Sequence, residues 1–186
     1  MPRPVPVFEG QLVFLRPIEP EKDAHDYYQM NLEPEMHLWT GNKVFESVEE
    51  AKAELERLRN IDEITVWMII DKPSYKVIGR FVICLEETND KLVAGESNRI
   101  AKPYWRKGHN KEARKLIFKF VFEELNADRI ESKCWSENKN SFLSLKAHGF
   151  KFVKEISEFN GKYKQTMKLS IFRLTKKAWE NLYRSN

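Results

Sequence analysis

Trp105-Arg106-Lys107-Gly108-His109-Asn110-Lys111-Glu112-Ala113 stands between a strand-like segment, Leu92 to Ala101, and a helix-like one running from about His109 to Leu125. Pro103 ends the strand, because proline has no N–H to give to a ladder. In the helix, Ala113, Leu116, Ile117, Phe120, Val121 and Leu125 recur at i, i+3, i+4, i+7, i+8 and i+12, so one face is buried. Gly108 permits a tight turn, and the first amides of a helix have no partner inside it. From Arg99 to Lys119 there are eight Lys or Arg residues and one acid, Glu112. Free amides, a glycine and surrounding cations make an anion site, so a phosphate-bearing ligand is expected at Arg106, Lys107, Gly108, His109, Asn110 and Lys111. The plainer alternative is a solvated basic helix face, with Glu112 complementing the helix dipole.

The rest of the chain sets this turn in a mixed fold. Leu12 to Leu15 reads as a strand stopped by Pro17, and a helix starts near Glu21. Asn31 to Phe45 holds Pro34, Gly41 and Asn42 and reads as a loop with apolar anchors. Ser47 and Glu50 fit a capping box ahead of the stripe Val48, Ala51, Leu55 and Leu58. Ile64–Ile70 and Val77–Leu85 form a hairpin about Lys72-Pro73-Ser74. Arg129–Trp135 is a short strand, and Asn138–Ala147 a helix stopped by Gly149. Phe150–Phe159 and Lys162–Phe172 flank the hairpin signal Asn160-Gly161. Thr175 caps a last helix. The order βααβββαβαββα predicts an α/β (α+β) fold, a mixed, mostly antiparallel sheet with helices on both faces.

Residues 1–186 hold no repeat, low-complexity tract or linker and are expected to form one domain, with residues 1–9 an extended arm. The formal charge of +4 is too mild and too interspersed to mark a nucleic-acid binder. Cys84 and Cys134 lie in apolar runs and read as buried, reduced thiols. The four histidines are scattered, so no metal is expected. No segment approaches the roughly 20 apolar residues of a membrane helix. The cytoplasm is the expected location, and the chain suits a monomer or a homodimer.

Together these features resemble the GNAT superfamily of acetyl-coenzyme-A-dependent N-acetyltransferases over roughly Gln11 to Phe172. The likeness is to the ribosomal-protein (Rim-type) branch. It rests on Tyr104 through Ala113, on Asn138-Lys139-Asn140-Ser141 followed by Gly149-Phe150, and on Leu15-Arg16-Pro17. The resemblance implies a single GNAT domain whose fourth and fifth strands, here Leu92–Ala101 and Arg129–Trp135, splay apart. It implies acetyl-CoA as cofactor, its pyrophosphate on the amides from Arg106 to Lys111 and its pantetheine arm along the backbone of Arg99, Ile100 and Ala101. The acyl end would then lie beside Asn138 and Ser141.

The implied reaction is direct attack of a primary amine, either a protein N-terminus or a small amine, on the thioester. It needs a proton route, donors for the oxyanion and a partner for the leaving thiolate. Many members use a tyrosine four residues before the Gly of Gly-Phe, and here that residue is Leu145. Ser141 takes its place as thiolate partner, with Asn138 beside it. Glu96, or a water relay, takes the proton. Tyr27, Tyr28, Trp39 and Phe45 are core or acceptor contacts. Asn110 stands where the turn usually has Gly or Ala, and Leu143 where the branch often has a basic residue. These departures keep two alternatives open: a catalytically weak acyl-CoA binder or sensor, and a nucleic-acid module using the same cations.

Overall fold

The computed structural model describes residues 4–183; of the expected extended arm, residues 1–3 lie outside that range. The elements in order are β1 (Phe8–Glu9), β2 (Val13–Arg16), α1 (Pro20–Asn31), α2 (Pro34–Leu38), α3 (Val48–Arg59), β3 (Ile64–Asp71), β4 (Val77–Thr88) and β5 (Lys91–Ile100). They continue with α4 (His109–Lys119), β6 (Arg129–Trp135), α5 (Lys139–Ala147), β7 (Lys151–Asn160), β8 (Gln165–Thr175) and α6 (Lys176–Tyr183). Two compact units carry them. The first runs up to Cys84 and adds Asn98–Phe118; the second takes Leu85–Ser97 and the chain from Lys119 onward.

In the first unit β1, β2, β3 and β4 pair in that order, all antiparallel. Val66, Met68 and Ile70 of β3 face Leu55 and Leu58 of α3 and Tyr27 and Met30 of α1 in one buried cluster. Each such fully buried side chain contributes about 1.5–3 kcal/mol. On the opposite face Phe81 meets the ring of Phe118 edge-on at 6.2 Å. The cap of α3 forms at Ser47, whose hydroxyl accepts from Glu50 N at 3.1 Å, while the Glu50 carboxylate accepts from Glu46 N at 2.9 Å. In the second unit the order is β5, β6, β8, β7. The β5–β6 pair is parallel and the other two are antiparallel. There Phe122 packs on Trp179 of α6 at 5.2 Å.

Several expectations are corrected. Phe8–Glu9 of the supposed arm is a short strand, because the Trp67 indole holds the Pro6 carbonyl at 2.8 Å and lays the chain beside β2. The segment after Asn31 contains α2, started by Pro34 and anchored by buried Met36. The helix from His109 changes to a π turn at Phe120–Glu124, where Leu125 N donates to Phe120 O. The Asn160-Gly161 signal lies in a four-residue connection, since the last β7–β8 pair is Asn160 with Gln165. The Asn160 side chain closes that loop by accepting from the amides of Lys162 and Tyr163. Cys84 is exposed, whereas Cys134 is buried; neither forms a disulfide.

The apolar cluster under α3 sets the energetic scale. Leu55→Ala is expected to lower the unfolding free energy by about 2–5 kcal/mol, because the cavity sits in a close-packed core. Ser47→Ala should cost about 1 kcal/mol through the lost cap. Urea titrations of both variants check the ranking, and equal losses would contradict it.

Candidate active site

The turn in the first unit is built from strained backbone. After β5, Tyr104 N donates to Ala101 O and Trp105 N to Lys102 O, a single tight turn about Pro103. Arg106 then has φ +60° and Gly108 φ +90°. A Cβ at Gly108 would meet Leu12 Cδ1 at 3.2 Å, so a side chain there is disfavoured by conformation and by space. The first helical bond of α4 runs from Glu112 N to Gly108 O. Among the described residues, the amides from Lys107 to Lys111 donate to no other group. Arg106, Lys107 and Lys111 are exposed and carry no carboxylate partner there.

Three side chains of this stretch tie it to its surroundings. His109 is buried, its Nε2 3.1 Å from Asp71 Oδ1 and its ring edge-on to Tyr104 at 5.1 Å. Glu112 accepts from three consecutive amides, Gln11 at 2.8 Å, Leu12 at 2.7 Å and Val13 at 2.8 Å. The Trp105 indole donates to Ile100 O. His109 Nδ1 and Asn110 Oδ1 are buried without a hydrogen-bond partner. Burial pushes the Asp71 carboxyl up. Hydrogen bonds from the Ser74 hydroxyl, His109 and the Ser74 amide outweigh it and leave Asp71 below the usual carboxylate value.

Of the backbone expected to meet the pantetheine arm, Ala101 N already donates to Ile78 O at 2.7 Å. Arg99 O approaches Gly79 so closely that a Cβ there would stand 2.2 Å from it. Ile100, between them, has its groups on the other side of the strand.

The second unit brings together the other candidates. The β5–β6 ladder has four pairs, Val93 with Arg129 through Glu96 with Ser132, and stops there although both strands continue. Glu96 is buried at that last pair. Asn138 caps α5, its Oδ1 accepting from Ser141 N at 3.1 Å. The Ser141 hydroxyl is half-buried and has no hydrogen-bond partner among the described residues. Leu145, at the position where many members carry tyrosine, is 1% exposed and packs in the core. Of the four aromatic candidates, Tyr27 is fully buried against Phe45, so it offers no surface to a substrate.

Sequence reading missed Asp71, 38 residues from His109, and the amides that Glu112 holds about 100 residues away. A buried acid ending an apolar strand, Ile64–Asp71, was the one available signal.

These elements, with a parallel pair that parts after four rungs and a helix opening on a glycine turn, define an acetyltransferase fold. The chain belongs to the GNAT family: the model of the acetyltransferase (GNAT) domain matches residues 13–151. Among solved structures it is similar to a GCN5-related N-acetyltransferase from Brucella melitensis, with 24% identity, 99% of this chain and 86% of that chain covered, and a TM-score of 0.84. It is also similar to the ribosomal-protein-S5-alanine acetyltransferase from Vibrio fischeri, with 19% identity, 94% and 98% coverage and a TM-score of 0.77. The microcin C7 self-immunity acetyltransferase MccE, solved with acetyl-CoA and AMP, has 14% identity, 89% and 93% coverage and a TM-score of 0.77. No curated protein matches the sequence. Among the described residues no helix is long and apolar enough to cross a membrane.

The Asp71 pair gives a pH signature. A carboxylate with a lowered folded pKa stabilises above its unfolded value of about 4, and that stability is lost as pH falls through the folded value. Asp71→Asn should therefore lower the urea midpoint at pH 7, with the gap to wild type closing below about pH 4. A gap that stays constant from neutral to acid pH would count against this pair.

Proposed function

We propose that this chain is an acetyl-CoA-dependent N-acetyltransferase that acetylates a primary amine, a protein N-terminus or a small amine, by direct attack. The observation that carries this reading is the row of unbonded amides opening α4 at Gly108. A diphosphate supplies what those donors lack, and Arg106, Lys107 and Lys111 stand free to screen its charge. The residues therefore fit the group. The amides from Arg106 to Lys111 would hold the pyrophosphate. Ile100 N would offer the backbone contact to the pantetheine arm, because Ile100 O accepts from the Trp105 indole, Ala101 N is already engaged and Arg99 O faces Gly79.

Acetyl-CoA, when bound, supplies the thioester carbonyl that a neutral amine attacks. Glu96 is assigned the amine proton, taken at its carboxylate directly or through one water. Its place supports this role, at the last rung before the strands part. Ser141 Oγ is assigned the hydrogen bond to the departing sulfur, since nothing in the described chain engages it. Asn138 fixes where that hydroxyl stands by holding the Ser141 amide. Its NH2 group is assigned to the cofactor.

A second reading, a catalytically weak acyl-CoA binder or sensor, draws on buried Leu145, which removes the tyrosine many members use. Free-thiol release from acetyl-CoA across a panel of amines and N-terminal peptides separates the two. Turnover with at least one acceptor is expected, and Ser141→Ala should reduce kcat by about tenfold or more. Coenzyme A protection against heat without turnover on any acceptor would favour the sensor. Gly108→Val tests the turn itself. A β-branched residue at positive φ disrupts the cradle, so the Kd for coenzyme A should rise by about tenfold or more while cooperative unfolding is kept. An unchanged Kd would overturn the assignment.

A further inference from the structure

Four arginines here are held by carboxylates. Arg16 pairs with Asp23, Arg57 with Glu54, and Arg129 and Arg173 share Glu131. Arg80 and Arg99 do not, among the described residues. Arg99 Nη1 donates to a neutral partner, Asn31 Oδ1, at 2.8 Å. Asn31 is buried, and its NH2 group donates to Tyr27 O at 2.6 Å, which fixes the oxygen toward Arg99. Arg80 lies half-buried on β4, opposite fully buried Met68 in register, and so faces the side of the sheet that α1 and α3 cover. The two arginines belong to adjacent backbone, since Gly79, the neighbour of Arg80, is where Arg99 O makes its close approach. Burial, and then the like charge of Arg80, pull the Arg99 guanidinium down to about 10, so it remains cationic at neutral pH. The one carboxylate that acts on it, Glu54, is held by Arg57 in two hydrogen bonds.

Two like charges withdrawn from water without a counter-ion are costly, and the cost is relieved when an anion arrives. The proposed reaction has two substrates. The turn at Gly108 already offers amides and cations to the phosphates of one. We infer that Arg80 and Arg99 together bind an anionic group, a carboxylate or a phosphate, carried by the acceptor amine. This inference rests on the acetyltransferase reading and specifies its acceptor. Arg99 is set by Asn31 to present its remaining N–H donors, and Arg80 supplies the second fork.

The test compares acceptors matched in size. Initial rates of thiol release are measured for ω-amino carboxylates of three to six carbons, for O-phosphoethanolamine and for the corresponding alkylamines, in wild type, Arg80→Gln and Arg80→Lys. Wild type is expected to favour anionic amines by about tenfold or more in kcat/KM. In Arg80→Gln that preference should collapse through KM for the anionic amine, with partial rescue in Arg80→Lys. The carboxylate and phosphate arms show which anion is the better fit. Equal use of neutral and anionic amines by wild type overturns the inference. So does a loss in Arg80→Gln that falls equally on alkylamines or lands on KM for acetyl-CoA. Calorimetric binding of 4-aminobutanoate and O-phosphoethanolamine needs no turnover. Arg80-dependent binding without thiol release would retain the anion site and reject the enzymatic reading, and no binding in wild type would reject the site. A lowered melting temperature without any change in acceptor preference marks a purely structural arginine.

Discussion

A turn that must leave its amides unbonded cannot stabilise itself. From Lys107 to Lys111 the backbone gives up the hydrogen bonds that would normally fix it, and two residues, Arg106 and Gly108, take positive φ. The compensation comes from side chains that tie this stretch to the rest of the first unit. Glu112 collects three amides of the segment leading into β2, and Asp71 takes the His109 ring from the end of β3. Each charge-assisted bond of this kind contributes roughly 1.5–3 kcal/mol, enough to hold a turn whose own bonds are missing. The donors stay in place for a ligand because their neighbours carry the strain.

The same economy governs the second unit. The β5–β6 ladder keeps four rungs and then stops, with Glu96 buried at the final one. That places a buried carboxylate where the pairing between β5 and β6 ends. Asn138 serves two needs at once. As the cap of α5 it satisfies Ser141 N, and in doing so it fixes the backbone from which the Ser141 hydroxyl projects. Capping and ligand contact are compatible, because the cap uses the side-chain oxygen and leaves the NH2 group.

Local signals were readable. Ser47 before an acidic first turn, Gly108 at an element boundary, and the 3.6-residue stripe from Ala113 to Val121 each act within a few residues, and the structure keeps each of them. The π turn at Phe120–Glu124 was hidden because the stripe continues through it. The four-residue loop at Gly161 was hidden because Asn-Gly suits a two-residue turn equally well, and the side-chain bonds of Asn160 decide between them.

The sequence by itself determined the order of the longer elements, the glycine turn opening α4, the cap at Asn138 and the crowding of cations near Gly108, since all of these follow from residues close together along the chain. Only the tertiary structure decided that Asp71 meets His109, that Glu112 binds the amides of residues 11–13, that Arg99 rests on a neutral amide near a second arginine, and that the β5–β6 ladder stops at Glu96. Those facts depend on which strands lie side by side and in what register. Register is a property of the assembled sheet, fixed by burial across many residues at once, and no short stretch of sequence carries it.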